Sequence, residues 1–427
     1  MKTKRNPIKF TCVALAIVGF GAQAHAQSFA EVVQSALAIY PTMLSAKAKT
    51  EAQRADIDRA RAAHMPQISY GYTHSKYANG VLPDTLQANT RSPAVRLNLW
   101  SGGRIEADAR RAEALTLGSE FTEATTRDDV ALLASEAYIN WARALELHAL
   151  AEKNYASLQI TLDDIKKIVD VDSGRRIDLE QAQVRLDNAS LAKLQRKTEL
   201  NQARQKLSRF WLTGLPTKPT GLKEALSPTG RLGNLPATED QLMARVSDDL
   251  PSIATQKAQV QAALEAVSMA RGQYWPTVDL TSTRQLNLSG TAPYKQDTFT
   301  QVQMNMPLYS GGATSAAVQT AASQLKAAEY SLDEARLLAK EKAVLAYQEW
   351  VNAQGRAVQG ESQARVGDKV VEGYRQQFRL ARRQLLDLLN IQAEAFGYQS
   401  AAVNALYDEQ IARARLLAVT GDLAKRF

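Results

Sequence analysis

The sequence predicts a mixed membrane protein in which short β-strands cross a bilayer and very long α-helices continue beyond them. Three observations predict this class: the chain is written twice, each copy holds a pair of alternating polar and apolar segments, and a long stretch without proline follows each pair. Of the 427 residues, 45% are apolar and 22% charged, and no run of eighteen apolar residues occurs. An α-helical membrane span is therefore not predicted.

The N-terminus carries the pattern of a secretory signal peptide. Basic residues at positions 2, 4, 5 and 9 precede an apolar stretch over 10–22, and Ala24-His25-Ala26 fits a cleavage site, so residues 1–26 are predicted to be removed. The net charge then falls from +8 to +4, with 48 basic against 44 acidic residues. Such a weak, dispersed charge does not predict a nucleic-acid partner.

No catalytic or metal-binding constellation emerges from the sequence. The only cysteine, Cys12, lies in the middle of the signal peptide and is interpreted as an ordinary apolar residue rather than a lipid-bearing one. The remaining histidines, His64, His74 and His148, lack ligand spacing. We therefore expect neither an enzyme nor a bound metal or cofactor.

Residues that recur at a nearly constant offset indicate an internal duplication. Pro41 and Pro66 recur 210 positions later as Pro251 and Pro276, whereas LWSGG (99–103) recurs as LYSGG (308–312) after 209 positions. The shift of one residue must fall between about 67 and 98, where Asn79-Gly80 and Pro83 indicate a loop. We therefore divide the mature chain into a first repeat (27–215), a linker (216–237) and a second repeat (238–427).

The first element of each repeat is a proline-bounded segment that precedes two predicted strands. In the first repeat the strands alternate over 66–74 and 94–99, and in the second over 278–282 and 301–306. Runs of about ten residues are long enough to cross a bilayer when tilted. Four strands cannot close a barrel alone, and open edges in hydrocarbon are costly, so copies of the chain must close it. Two copies would form an eight-stranded barrel whose lumen is filled by side chains. Three copies would form a twelve-stranded barrel with room for a channel, and we favour three.

Aromatic and glycine residues mark the ends of these strands. Trp100 and Tyr309 are predicted to end the second strand of each pair and to form an interfacial belt with Trp275. The paired glycines lack the residues that a phosphate-binding loop needs, and they are interpreted as strand-to-helix junctions. These glycines are Gly102, Gly103, Gly311 and Gly312.

Long helices are predicted to follow each strand pair. No proline occurs in 94–215 or 308–427, and both stretches are rich in strong helix formers. Apolar residues recur there at alternating spacings of three and four, broken at Glu409, and their many alanines favour broad packing among several antiparallel helices. The seam positions are Leu179, Ala182, Leu186, Ala189, Leu200, Ala203 and Leu207, then Leu388, Ile391, Ala395, Tyr398, Ala402, Ala405, Ala412 and Leu416.

Taken together and in order, these features resemble the TolC-like outer-membrane factors of Gram-negative bacteria. The duplicated unit, the strand pairs ending in LWSGG and LYSGG, and FRLARRQLLDLLNIQAEAF (378–396) carry the resemblance. It implies a homotrimer with a twelve-stranded barrel in outer-membrane lipid, continued by a periplasmic α-helical barrel. It also implies a periplasmic adaptor and an inner-membrane ABC transporter or proton-driven pump as partners, with passive export and no chemistry.

The resemblance also implies a gate at the periplasmic helix ends. A ring of Asp387 carboxylates, paired with Arg383, would select cations at the narrowest point. Asn390 stands where the best-known member has aspartate, which halves the charge of this gate. The alternative interpretation is a solvated pair of Arg383 and Asp387 with little effect. The implied gate residues are Arg383, Asp387, Asn390 and Phe378, with Asp178 and Gln181 as first-repeat equivalents.

The cargo is left with two candidates. Without a predicted lipid-bearing cysteine, the chain resembles the secretion and general-purpose branch of the family more than its lipoprotein drug-efflux branch. This resemblance favours type I secretion of a large protein, such as an adhesin or toxin, over the alternative of an outlet for drugs or other small molecules. A soluble periplasmic coiled-coil adaptor or scaffold is the alternative from another class. It would share the signal peptide and the helices but not the four alternating strands.

Overall fold

The chain consists of two repeats with the same order of helices and strands. The computed structural model describes residues 28–75, 88–211, 218–227, 229–287, 296–380 and 382–427, so the predicted signal peptide and Asn79-Gly80 lie outside the described residues. The elements in chain order are α1 (Phe29–Ile39), α2 (Pro41–Arg61), β1 (Gln67–Ser75), β2 (Ala88–Trp100), α3 (Arg104–Val171), α4 (Arg176–Leu207), α5 (Leu222–Leu226), α6 (Glu239–Arg245), α7 (Pro251–Arg271), β3 (Thr277–Asn287), β4 (Gln296–Asn305), α8 (Ala313–Arg379) and α9 (Leu385–Val419).

Element boundaries confirm the internal duplication. Both ends of α2 recur 210 positions later as the ends of α7, and the start of β1 recurs at the same offset as the start of β3. The start of α8 lies 209 positions after the start of α3, and the start of α9 lies 209 positions after the start of α4. The change of one residue therefore falls between the first strand and the long helix of each repeat, as predicted.

Each repeat contains one very long helix. α3 has 68 residues and α8 has 67, so each extends about 100 Å at 1.5 Å per residue. Neither contains proline, and most of their residues are strong helix formers. α3 ends where Asp172 turns to an extended backbone, and α4 then runs back along it.

The four strands form one antiparallel sheet in the order β1-β2-β3-β4. Its register places Leu97, Leu280 and Val302 side by side on one face, with Arg96, Thr281 and Gln301 on the other. The apolar face has no cover within the described chain: Val302 is 64% exposed. β1 and β4 lie at the two edges, so the alternation predicted from sequence forms an open sheet with one apolar and one polar face.

Strand boundaries differ from the prediction in both repeats, and β3 (to Asn287) and β4 (from Gln296) are each longer than expected at one end. β2 begins at Ala88, six residues earlier than expected, because its ladder with β1 continues as far as Ser75. β4 ends at Asn305, which pairs with Thr277, so Tyr309 does not end this strand. Thr277 follows Pro276, which has no N–H to continue the ladder, and pairing stops there.

The helices form an open layer beyond the sheet. α3 packs against α2 and α7 near the sheet and against α4 and α9 toward the far end, while α8 packs against α7 and α9. α2 and α4 therefore lie at one lateral edge of the layer and α8 at the other. Over the described ranges, the helices include none with the length and apolar character of a membrane span.

The packed core sits midway along the helices. Phe29, Tyr138 and Phe210 are almost fully buried there, and the Tyr138 hydroxyl donates a hydrogen bond of 2.9 Å to the Thr220 carbonyl. The described part of the linker and the C-terminal tail pack around this point: the Arg426 guanidinium donates to the Arg231 carbonyl at 3.0 Å. Seam residues are buried at Ala182, Leu186, Ala189, Leu207, Leu388, Ala395, Ala412 and Leu416.

Candidate functional site

The candidate site is the far end of the helix layer, where two helical hairpins end side by side. The first hairpin turns over 172–175, where the Gly174 amide donates to the Asp172 carboxylate at 3.1 Å. In the second hairpin, α8 ends at Arg379 and α9 begins at Leu385. The Arg382 amide donates to the Gln377 carbonyl at 2.9 Å, which stabilises this turn.

An apolar cluster joins the two hairpins behind these turns. Phe378 is 8% exposed and packs within it, so it supports the hairpin end from the inside. A buried polar contact also crosses between the hairpins, because the Gln392 amide donates to the Thr161 hydroxyl at 3.3 Å. The buried members of the cluster are Leu158, Leu162, Ile165, Ala182, Leu186, Ala189, Phe378, Leu385, Leu388 and Leu389.

Arg383 has three partners in its own hairpin. Its Nη1 lies 3.7 Å from Asp387 Oδ2, its Nε donates to Gln377 Oε1 at 3.1 Å, and its guanidinium lies 4.4 Å from the Tyr374 ring centre. Both members of the ion pair are partly exposed. The structure thus brings Arg383 and Asp387 together within one chain, at a distance longer than a hydrogen bond.

Asn390 makes a contact that sequence reasoning missed. Its Oδ1 accepts a hydrogen bond of 3.0 Å from Arg185 Nη2, which links α9 to α4 across the two hairpins. The two residues are 205 positions apart, and no spacing rule relates them. An amide thus accepts the bond in this chain, at the position where a carboxylate would have formed an ion pair with the same arginine.

The first-repeat equivalents lie on the other hairpin. Asp178 accepts a 2.8 Å bond from Arg175 Nε, three residues before it, whereas Asp387 faces an arginine four residues before it. Gln181 is exposed on α4. The structure therefore divides the six predicted gate residues between two neighbouring hairpins.

The glycine junctions are repeated closely in the two copies. Gly102, Gly103, Gly311 and Gly312 have φ of 67°, 80°, 63° and 83°, the left-handed region in which glycine avoids the steric cost of a side chain. The serine before each pair caps the following helix, a role that the sequence prediction missed. Ser101 Oγ accepts from the Ile105 amide at 3.2 Å, and Ser310 Oγ accepts from the Thr314 amide at 3.3 Å.

Two of the three aromatic residues predicted to form an interfacial belt contact each other, and the belt itself stays a prediction. Trp100 and Trp275 form an edge-to-face pair with ring centres 6.3 Å apart. A register shift in β2 between Asn98 and Trp100 pairs Trp100 with Val278. Tyr309 lies beyond the end of β4 and is almost fully exposed.

The polar face of the sheet carries a charged cluster near the helices. Asp279 Oδ2 accepts from Arg96 Nη2, and its Oδ1 accepts from Asn98 Nδ2, both at 2.9 Å. Within the described part of the chain, no group of three or more histidine, cysteine or acidic side chains could hold a metal ion.

Comparison with known proteins places this geometry in a family. The model of the family "Outer membrane efflux protein" matches residues 32–211 and 245–422, one match for each repeat. The chain therefore belongs to the outer membrane efflux protein family. Its location is the outer membrane, and its long helices lie on the periplasmic side.

Individual relatives support the same assignment over nearly the whole chain. The outer membrane efflux protein BepC of Brucella suis biovar 1 is 26% identical over 382 residues, which are 88% of this chain and 81% of that protein. The outer membrane protein TolC of Vibrio cholerae serotype O1 is 22% identical over 416 residues, 94% and 92% of the two chains. A membrane protein of Pseudomonas aeruginosa has the same fold, with a TM-score of 0.79, 17% identity, and coverage of 92% and 93%.

Proposed function

We propose that three copies of this chain close into a passive duct from the periplasm to the outside. The observation that carries this proposal is the pair of unmatched lateral edges. β1 lies on the same side as α2 and α4, and β4 lies on the same side as α8. Joining one side of a copy to the other side of the next gives a head-to-tail contact, which closes into a ring when the rotation fits.

Exposed apolar stripes on both edges support this assembly. On α8, Tyr330, Leu337, Val351 and Val358 are exposed at spacings of seven or fourteen residues. On α4, Ile177, Val184 and Leu191 repeat the spacing of seven. Stripes at this spacing are typical of helices that pack against a further helix. In a ring, α8 of one copy would meet α2 of its neighbour near the sheet and α4 of its neighbour toward the hairpin ends.

The number of strands in the sheet also favours three copies. Three sheets of four strands give a twelve-stranded barrel, wide enough for a lumen. The apolar face would contact lipid and the polar face, with Arg96 and Asp279, would line the lumen. Every edge strand would then be paired, which removes the cost of unpaired backbone groups in hydrocarbon.

We further propose that the hairpin ends form the periplasmic gate. Arg383, Asp387 and Asn390, with Asp178 and Gln181 on the neighbouring hairpin, would surround the entrance, and Phe378 would hold the hairpin from behind. A periplasmic adaptor and an inner-membrane ABC transporter or proton-driven pump would deliver cargo here. The duct itself needs no cofactor.

For the cargo we propose type I secretion of a protein. The support is a sequence cue: Cys12 lies in the middle of the predicted apolar stretch rather than directly after a cleavage site, which is unlike a lipid-bearing cysteine. The second candidate, an outlet for drugs or other small molecules, is favoured by the description of the family and of BepC as efflux proteins.

Deleting the gene separates the two cargoes. Secreted and surface proteins are compared by mass spectrometry while susceptibility to dyes, detergents and antibiotics is measured in parallel. Protein secretion predicts that one large protein disappears with susceptibility unchanged. Increased susceptibility with an unchanged secretome would contradict it and support the small-molecule outlet.

Planar-bilayer recording tests the duct independently of the cargo. Purified protein should insert and produce discrete ion-conducting steps, and heat-unfolded protein should produce none. A folded protein that never conducts, at any voltage and after substitution of the gate residues, would contradict the duct.

A further inference from the structure

A basic groove opens between the two hairpin ends. Its volume is about 1060 Å³, and it is bounded by the end of α3, the turn before α4, the end of α8 and the start of α9. Five cationic side chains line it against two carboxylates, those of Asp164 and Asp387. The cations are Lys167, Arg175, Arg379, Arg382 and Arg383.

The charges of this basic groove are not balanced among the residues that the structure describes. Arg175 is neutralised by Asp178 at 2.8 Å. Asp164 faces both Lys167, at 3.7 Å, and Arg379, at 3.8 Å, and Asp387 faces Arg383 at 3.7 Å. The Arg382 side chain has no acidic partner among the described residues. Three cations therefore share two carboxylates at distances longer than hydrogen bonds, and Arg382 adds a fourth positive charge to the groove.

The groove also has an apolar floor, formed by Ile168 and by the nearly buried ring of Phe378. An apolar centre with a charged rim is the usual anatomy of a protein–protein contact. A single inorganic anion would fill only a small part of a groove of this size. Arginine clusters of this kind recognise acidic peptide motifs.

We propose that the basic groove binds an acidic, partly apolar segment of a partner protein in the periplasm. Carboxylates of the segment would pair with Arg379 and Arg382, and an apolar side chain would rest on Phe378. This inference rests on the proposed function, because a duct of this kind receives its cargo through a periplasmic partner. It adds a chemical requirement: the docking segment must be negatively charged.

The test uses the purified full-length protein in detergent and two fluorescein-labelled helical peptides. One has leucines on one face and glutamates on the other; its control has glutamine at every glutamate position. We expect the channel to bind the acidic peptide, with weaker binding at higher salt, and to bind the glutamine peptide at least about tenfold more weakly.

Two charge reversals locate the binding. Arg379→Glu combined with Arg382→Glu should weaken binding of the acidic peptide at least about tenfold. Arg176→Glu is the matched control. Arg176 lies at the same end of the helix layer, its side chain is 82% exposed, and it does not line the groove, so binding should change little. Oligomeric state and conductance of each variant establish that it is folded and report on the duct separately.

Three outcomes would overturn the proposal. Equal binding of the two peptides would show that charge is not recognised. Equal loss in the double variant and in Arg176→Glu would show a diffuse field rather than a groove. Complete competition by inorganic phosphate at a concentration that leaves the salt-matched control unaffected would show a site for small anions. In each case conductance can persist, so the duct would stand without this inference.

Discussion

At the residue scale, Asp387 is the carboxylate on which the gate proposal depends most. Its only described ion pair is the 3.7 Å contact with Arg383, so its charge is not cancelled by a tight hydrogen bond. In a ring of three, Asp387→Ala would remove three negative charges from the entrance, and we expect larger conductance or weaker cation preference in a planar bilayer.

The control for this variant is Asp163→Ala, an exposed aspartate on α3 that pairs with Lys166 at 3.6 Å and does not line the groove. Conductance and ion preference should change little in the control. If Asp387→Ala behaves like Asp163→Ala in both respects, the Arg383–Asp387 pair is an ordinary solvated pair and the gate assignment is wrong.

The contact between Arg185 and Asn390 gives a second prediction. Asn390→Asp would place a carboxylate 3.0 Å from Arg185 Nη2 and turn a neutral acceptor into a charged one. We expect the hairpins to be held together more firmly, by about 1 kcal/mol, with fewer openings and stronger cation preference. Single-channel recording measures both quantities.

A double-mutant cycle isolates this contact. Adding Arg185→Ala to Asn390→Asp should cancel the reduction in open probability, although the added negative charge remains. If the reduction persists without Arg185, the effect arises from the charge alone and the link between α4 and α9 does not control opening.

Asp128 predicts a pH dependence of stability. It is buried on α3 and accepts a 2.7 Å hydrogen bond from the Ala424 amide of the C-terminal tail, but burial raises the pKa of its carboxyl to about 6. Since the folded pKa lies above the unfolded value, the stabilisation from proton binding is complete below about pH 4 and is lost as pH rises through 6. The loss is on the order of 3 kcal/mol per chain.

Asp128→Asn replaces the titratable carboxyl with an amide that does not bind this proton. The amide oxygen can still accept the hydrogen bond from the Ala424 amide. Thermal melts in detergent at pH 4.5 and pH 8 should show the unsubstituted protein losing stability relative to the variant as pH rises. Parallel pH profiles for the two proteins would contradict the role of Asp128.

At the element scale, the strand-to-helix junctions should differ between the repeats. A Cβ on Gly102 would lie 2.5 Å from Trp275 Cβ and 2.8 Å from the Gly272 carbonyl oxygen, whereas a Cβ on Gly311 meets nothing within 4 Å. Both have positive φ, so Gly311→Ala should cost about 1 to 2 kcal/mol and Gly102→Ala clearly more. Heat resistance of the assembled protein measures the difference; equal losses would contradict the close approach of Gly102 to Trp275.

Sequence patterns predicted those elements that depend on neighbours along the chain. The glycine junctions and the long proline-free helices are local signals, the 210 and 209 offsets are visible because the same residues recur, and the structure has matching elements. Contacts such as Arg185 with Asn390 join residues 205 apart, and no periodicity encodes them. The end of β4 at Asn305 likewise depends on where β3 starts, so alternation in β4 alone extended the strand too far toward Tyr309.

At the scale of the whole molecule, one chain has the parts of a duct but not its closure. The sheet has two edges, the helix layer has two edges, and apolar stripes remain exposed on α4 and α8. Because the strands and the helices follow the same lateral order, a single head-to-tail contact between copies can close the sheet and the helix layer together. The proposed closure therefore depends on contacts between copies of the chain rather than on any single residue.

Cysteine cross-linking between neighbouring copies tests this claim most directly. Leu191 on α4 and Val366 on α8 are exposed and lie about equally far from the hairpin ends, and the only cysteine of the sequence, Cys12, lies in the predicted signal peptide. With Leu191→Cys and Val366→Cys together, oxidation in membranes should give covalent species of two and three chains and nothing larger, while each single variant stays monomeric on a denaturing gel. A double variant that stops at dimers, extends to longer ladders, or fails to cross-link at all would contradict the closed ring of three.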